Sequence, residues 1–219
     1  MVEEQRRHKR FTVEVLEGRM LFASQTRILN LSISGAAIET DRRLNPGNEY
    51  TLKLKQKGKA LTLKGRIAWS VLSGSRKTAH GEMAPMYRAG MTFTDVMSDK
   101  TAALIEFIDE NKNVNESRLS GLRFNIEPAK EAVLDFPYQV KKLSLGGMLI
   151  ETGQALSPDD RFQMEISPED DRPVRFTGRV AYCNSREDDA SFDIGIEFLE
   201  MDAESRKNLV EYVQSLYEE

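Results

Sequence analysis

Asn30-Leu-Ser-Ile-Ser-Gly-Ala-Ala-Ile-Glu-Thr40 returns 112 residues later as Lys142-Leu-Ser-Leu-Gly-Gly-Met-Leu-Ile-Glu-Thr152. Similarity at a fixed offset marks a duplicated unit. Further landmarks match in the same order on either copy. Leu44-Asn-Pro-Gly47 meets Leu156-Ser-Pro-Asp159, and Gly65-Arg-Ile-Ala-Trp69 meets Gly178-Arg-Val-Ala-Tyr182. Gly90-Met-Thr-Phe93 then meets Gly195-Ile-Glu-Phe198. Each copy closes with apolar residues at helical spacing, over about 98–110 and about 202–217. The chain therefore reads as two homologous domains, 1–112 and 113–219, split within the polar stretch 111–120.

Within each copy the pattern is mostly that of strands. Phe11, Val13 and Val15 alternate with polar residues, as does Tyr50-Thr-Leu-Lys-Leu-Lys55, the period of a half-buried strand. Ala36-Ala-Ile-Glu-Thr40 and Met148-Leu-Ile-Glu-Thr152 follow glycines and are rich in apolar residues. Asn45-Pro-Gly-Asn48 and Ser157-Pro-Asp-Asp160 are turn sequences. Short strands at near-regular spacing predict a barrel or sandwich. Leu104, Ile105 and Ile108, then Leu209, Val213 and Leu216, predict amphipathic helices, with Ser98, Asp99 and Asp202 as N-cap candidates.

A length of 219 residues suits two domains of roughly 100 each. The single cysteine, Cys183, excludes an intrachain disulfide and reads as a core residue. With only two histidines, His8 and His80, no Cys/His metal site is expected. No apolar run reaches the roughly 20 residues of a membrane helix, and the charged N-terminus does not read as a signal peptide. The expectation is a cytoplasmic protein without membrane insertion. The net charge of −4 divides unevenly, +6 over residues 1–112 and −10 over the remainder. An anion partner, if there is one, belongs to the basic half.

Two motifs of the first copy could carry chemistry. Arg6-Arg-His-Lys-Arg10 precedes the first strand. It reads as a solvated basic tail or as an arm that seeks an anion, because a guanidinium fork grips phosphate or a guanine edge with two hydrogen bonds. Asn30-x-Ser32-x-x-Gly35 lies between strands. It reads as an ordinary turn, or as a place where a ligand approaches the backbone closely.

Together, Arg6-x-x-x-Arg10 and Asn30-x-Ser32-x-x-Gly35 resemble the PilZ domain family, in which RxxxR is followed about 20 residues later by [D/N]xSxxG. The resemblance implies an all-β-dominated fold: two tandem six-stranded β-barrels, each closed by a C-terminal α-helix. It also implies binding of cyclic di-GMP, a bacterial second messenger, with the arm wrapping the ligand against the barrel wall. Carried over, Arg6 and Arg10 would grip phosphates and guanine edges, with Arg7 a further candidate. Asn30 and Ser32 would hydrogen-bond a base or the phosphate-sugar backbone, and Gly35 would permit the turn. Trp69 would lie near a base or serve as a half-buried core tryptophan.

The second copy departs from this pattern. Lys142 stands at the asparagine position, Ser144 and Gly147 remain, and Arg118 and Arg123 are spaced by five rather than four. Its acidic balance opposes a dianionic ligand, so this half is expected to keep the fold without the ligand site. The acidic clusters at 169–171 and 187–189 sit beside turn residues and read as solvated loops. No catalytic triad, P-loop or dinucleotide fingerprint is present. The expected function is a non-enzymatic cyclic di-GMP receptor, without cofactor or metal, that relays the signal by conformational change to an unidentified protein partner. The alternative is a ligand-independent adaptor of the same fold. Nucleic acid is disfavoured as a partner, because the basic cluster is short and the Lys53, Lys55, Lys57, Lys59 series reads as one solvated strand face.

Overall fold

The computed structural model describes residues 9–56, 59–77, 81, 83–111, 124–126, 131–168, 172–186 and 191–217. Arg6, Arg7, His8, His80, Arg118, Arg123, most of the predicted linker and both acidic clusters lie outside these residues. The elements, in order, are β1 (Phe11–Ser32), β2 (Gly35–Thr40), β3 (Glu49–Gln56), β4 (Lys59–Lys77), β5 (Met83–Phe93) and α1 (Ser98–Asn111). There follow β6 (Phe124–Asn125), β7 (Glu131–Ser144), β8 (Gly147–Thr152), β9 (Arg161–Ile166), β10 (Val174–Ser185), β11 (Phe192–Met201) and α2 (Ala203–Ser215).

Strand pairing closes two six-membered rings. One runs β1, β2, β5, β4, β3, β7 and back to β1; the other runs β7, β8, β11, β10, β9, β1 and back to β7. Closure leaves few unpaired strand edges. Packing divides the chain into two compact units, Leu21–Phe136, and Met1–Met20 with Pro137–Glu219. These bounds differ from those of the sequence copies because β1 and β7 each contribute residues to both units.

In the unit Leu21–Phe136, the turn predicted at Asn45 to Asn48 forms, with the Asn48 amide donating to the Asn45 carbonyl at 3.2 Å. Gly47 takes φ +89°, a conformation that favours glycine. β3 pairs on one side with β4 and on the other with β7, where Leu52 faces Leu134 and Leu54 faces Ala132. Phe22, Tyr50 and Phe136 form an aromatic cluster with ring centroids 4.8–6.0 Å apart. Burial pushes the Tyr50 phenol up to about 12, although the Asn45 amide donating to its oxygen acts against this. Helix α1 buries Leu104, Phe107 and Ile108. Ile105, predicted on that face, points outward, since the apolar stripe uses Phe107 one turn further along.

The unit Met1–Met20 with Pro137–Glu219 repeats these devices. The Asp160 amide donates to the Ser157 carbonyl at 3.1 Å, and Asp159 takes φ 69°, the place held by Gly47 in the first copy. Gly18, Arg19 and Met20 of β1 pair with Ile166, Glu165 and Met164 of β9. Glu165 accepts from Arg19 and from Arg175, each at 2.7 Å. Its partial burial raises its pKa, but the two guanidinium bonds prevail and hold it below the ordinary value. Asp202 caps α2, accepting from the Ser205 amide at 2.7 Å. Leu209 and Val213 are buried on the inner helix face. Cys183, expected in the core, is half-buried on β10.

Candidate functional site

The predicted Asn30-x-Ser32-x-x-Gly35 motif forms the β1–β2 turn. Ser32 is buried, and its hydroxyl accepts from the Gly35 amide and donates to the Gly35 carbonyl, both at 3.1 Å. The serine therefore works inside the turn, holding its shape. A β-carbon on Gly35 would fall 2.3 Å from the Met91 carbonyl oxygen, so only glycine lets β5 approach. Asn30 follows a register shift between Ile28 and Asn30, a β-bulge that re-aims its side chain. Its Oδ1 is buried and finds no hydrogen-bond partner among the described residues. A buried acceptor in that state is costly and is suited to a ligand donor.

Trp69 lies on the same wall. It too follows a bulge, between Ile67 and Trp69, and its indole covers Gly90. At 44% exposure it is a surface residue and not a core one. Glu39 is held between Arg27 at 3.4 Å and Arg88 at 3.2 Å, so its carboxylate is compensated.

The second copy has the same wall in other residues. Ser144 donates to the Gly147 carbonyl at 2.9 Å, and a β-carbon on Gly147 would fall 2.3 Å from the Ile196 carbonyl oxygen. Bulges again precede Lys142 and Tyr182, and the Tyr182 ring covers Gly195 as Trp69 covers Gly90. Glu151 stands between Lys141 at 2.7 Å and Arg186 at 2.8 Å. The Lys141 hydrogen bond is the main cause that holds its pKa down. A cavity of about 270 Å³ opens on this wall, lined by Ser144, Gly147, Tyr182, Gly195, Glu197 and Arg10. Glu197 is engaged by Arg179, whose Nε donates to it at 3.0 Å.

Arg10 is brought there by its neighbours. Phe11 packs edge-on against Tyr217 just beyond α2, with ring centroids 4.4 Å apart. The Lys9 ammonium sits 4.9 Å from one ring centre and 4.7 Å from the other. Arg10 itself is exposed.

Of the predicted site residues, Asn30, Ser32, Gly35 and Trp69 belong to the unit Leu21–Phe136, and Arg10 to the other. Arg6 and Arg7 lie outside the described residues. Sequence reasoning left Gly90, Tyr182 and Gly195 out of the site. The signal was present in the repeat, which matches Trp69 with Tyr182 and Gly90 with Gly195. Among the described residues there is no cluster of three or more His, Cys, Asp or Glu fit for a metal ion. No described helix is long and apolar enough to cross a membrane.

A family model described as the PilZ domain matches residues 4–110 and again 115–215. No curated protein sequence matches the chain. Among solved structures, the chain is similar to the Bacillus subtilis inhibitor of motility MotI/DgrA, at 9% identity and TM-score 0.35, covering 80% of this chain and 99% of that one. It is similar to Escherichia coli YcgR in complex with c-di-GMP, at 13% identity and TM-score 0.33, covering 77% and 84%. It is also similar to Borreliella burgdorferi PlzA in complex with c-di-GMP, at 11% identity and TM-score 0.27, covering 93% of each.

Proposed function

The chain belongs to the PilZ domain family, with two copies of the domain in tandem, and from that premise we propose that it is a non-catalytic receptor for cyclic di-GMP. The observation that carries this reading is the bulge-built wall, formed once at Asn30 and Trp69 and again at Lys142 and Tyr182. Such a wall supplies what a cyclic dinucleotide needs. An aromatic face stands ready for a purine at Trp69 and at Tyr182. The Asn30 side-chain oxygen, Oδ1, is a buried acceptor of the kind that guanine's N–H edge can satisfy. The basic arm that begins at Arg6 and Arg7 and ends at Arg10 supplies charge for the phosphates.

Ligand binding would change the conformation presented to a protein partner in the cytoplasm. The β4–β5 hairpin offers apolar side chains to such a partner: Val71, Leu72 and Met83 are 54%, 65% and 64% exposed.

The test is calorimetric titration of cyclic di-GMP into the full chain at physiological salt. Binding at micromolar concentration or tighter, weakened by Arg10→Ala or Asn30→Ala, is the expected result. Absence of binding heat overturns the receptor reading. The exposed hairpin then favours the second reading, an adaptor of the same fold that acts through protein contacts alone.

A further inference from the structure

Resting on the cyclic di-GMP reading, we infer that Arg10 serves the wall of the second copy, as the cation of a nucleotide site built on Ser144, Gly147 and Tyr182. Sequence order assigns Arg10 to the motif that follows it, Asn30 to Gly35. The geometry points elsewhere. Arg10 lines the cavity of about 270 Å³ together with Ser144, Gly147 and Tyr182. Its backbone is fixed by the next residue, since Phe11 is locked against Tyr217 and covered by Lys9.

The rest of that wall fits an anionic nucleotide. Tyr182 is 39% exposed and presents a ring at the position that Trp69 holds in the first copy. Lys142, which replaces the family's asparagine, is exposed and adds positive charge. The carboxylate at the cavity, Glu197, is engaged by Arg179, which also donates to Asp159 at 2.6 Å. The acidic balance of the second half therefore does not set the charge of this wall. A cyclic dinucleotide would place a phosphate on Arg10 and a base against Tyr182.

A converse arrangement holds in the other unit. β6, which leads into the second copy, pairs with the end of β1, Asn125 with Asn30 and Phe124 with Leu31. Each motif is attended by the leading segment of the other copy.

Placing a reporter on each wall tests the assignment. Trp69, the only tryptophan, reports on the first wall. The Trp69→Phe/Tyr182→Trp variant moves that reporter to the second, into a position whose counterpart already carries tryptophan. Cyclic di-GMP is titrated against both proteins, with and without Arg10→Ala, and calorimetry is run on the unaltered chain. The expected result is quenching of the second-wall reporter that Arg10→Ala weakens by about tenfold or more, a loss on the scale of a charge-assisted hydrogen bond. The Trp69 response should not change with Arg10→Ala. A silent second-wall reporter, or one indifferent to Arg10→Ala, overturns the assignment while calorimetric heat in the unaltered chain leaves the receptor reading standing. Absence of that heat overturns both. Arg10 precedes the first strand and is exposed, so its removal does not threaten folding.

Discussion

Trp69 lies so close over Gly90 that a β-carbon there would meet the indole Nε1 at 2.2 Å. The glycine is buried beneath the ring, and the bulge at Ile67/Trp69 tips the indole onto it. Shape, not backbone freedom, requires glycine here.

Gly90→Ala is therefore expected to push the indole off the wall. Trp69 emission should shift, and stability should fall by about 1–3 kcal/mol, the range for overpacking a tight contact. Fluorescence and thermal unfolding of the one variant check both statements.

A fragment ending at residue 112 should fail to fold on its own. It lacks Ala132, Leu134 and Phe136, all buried in the unit Leu21–Phe136, and it strips β3 of its β7 partner. Losing two large core side chains and a strand pairing exceeds the few kcal/mol margin of most small domains. The full chain should show a cooperative melt in circular dichroism that the fragment does not.

Glu165→Gln should lower stability at neutral pH, because Glu165 bridges Arg19 and Arg175 across two strand pairs. The folded-state pKa lies below the ordinary 4.5. The stabilising contribution is thus present above that value and is lost as pH falls through the folded one. Denaturant melts of the two proteins should differ at pH 7 and converge in acid.

Tyr50 should resist ionisation until about pH 12. With the folded value raised above the ordinary 10.0, its contribution is complete below pH 10 and is lost as pH climbs towards 12. Tyr50→Phe should raise the midpoint of alkaline unfolding, read by near-ultraviolet circular dichroism alongside tyrosinate absorbance.

Much of this was legible in the sequence. Turns at Asn45 and Ser157 are written in proline, glycine and aspartate, and the Asp202 cap in a side chain suited to the Ser205 amide. The β-strand period left a barrel or a sandwich open, because alternation reports which face is buried and not how the sheet closes; the barrels were what the family resemblance implied. Ile105 was misplaced because α1 offers two overlapping apolar stripes, and only packing selects the one with Phe107. The division of β1 and β7 between units was not legible. A strand's period is the same whichever barrel it closes, and a strand of 22 residues gives no local sign of where one barrel hands it to the next. Spacing along the chain likewise fixes how far Arg10 reaches and not in which direction.

Because β1 and β7 lend residues to both units, the stretch of DNA that encodes one sequence copy does not encode one barrel. Recombination at the repeat boundary would hand its recipient a barrel missing a stave. The descendants of such an event should be rare, and the pair should be inherited as a single piece.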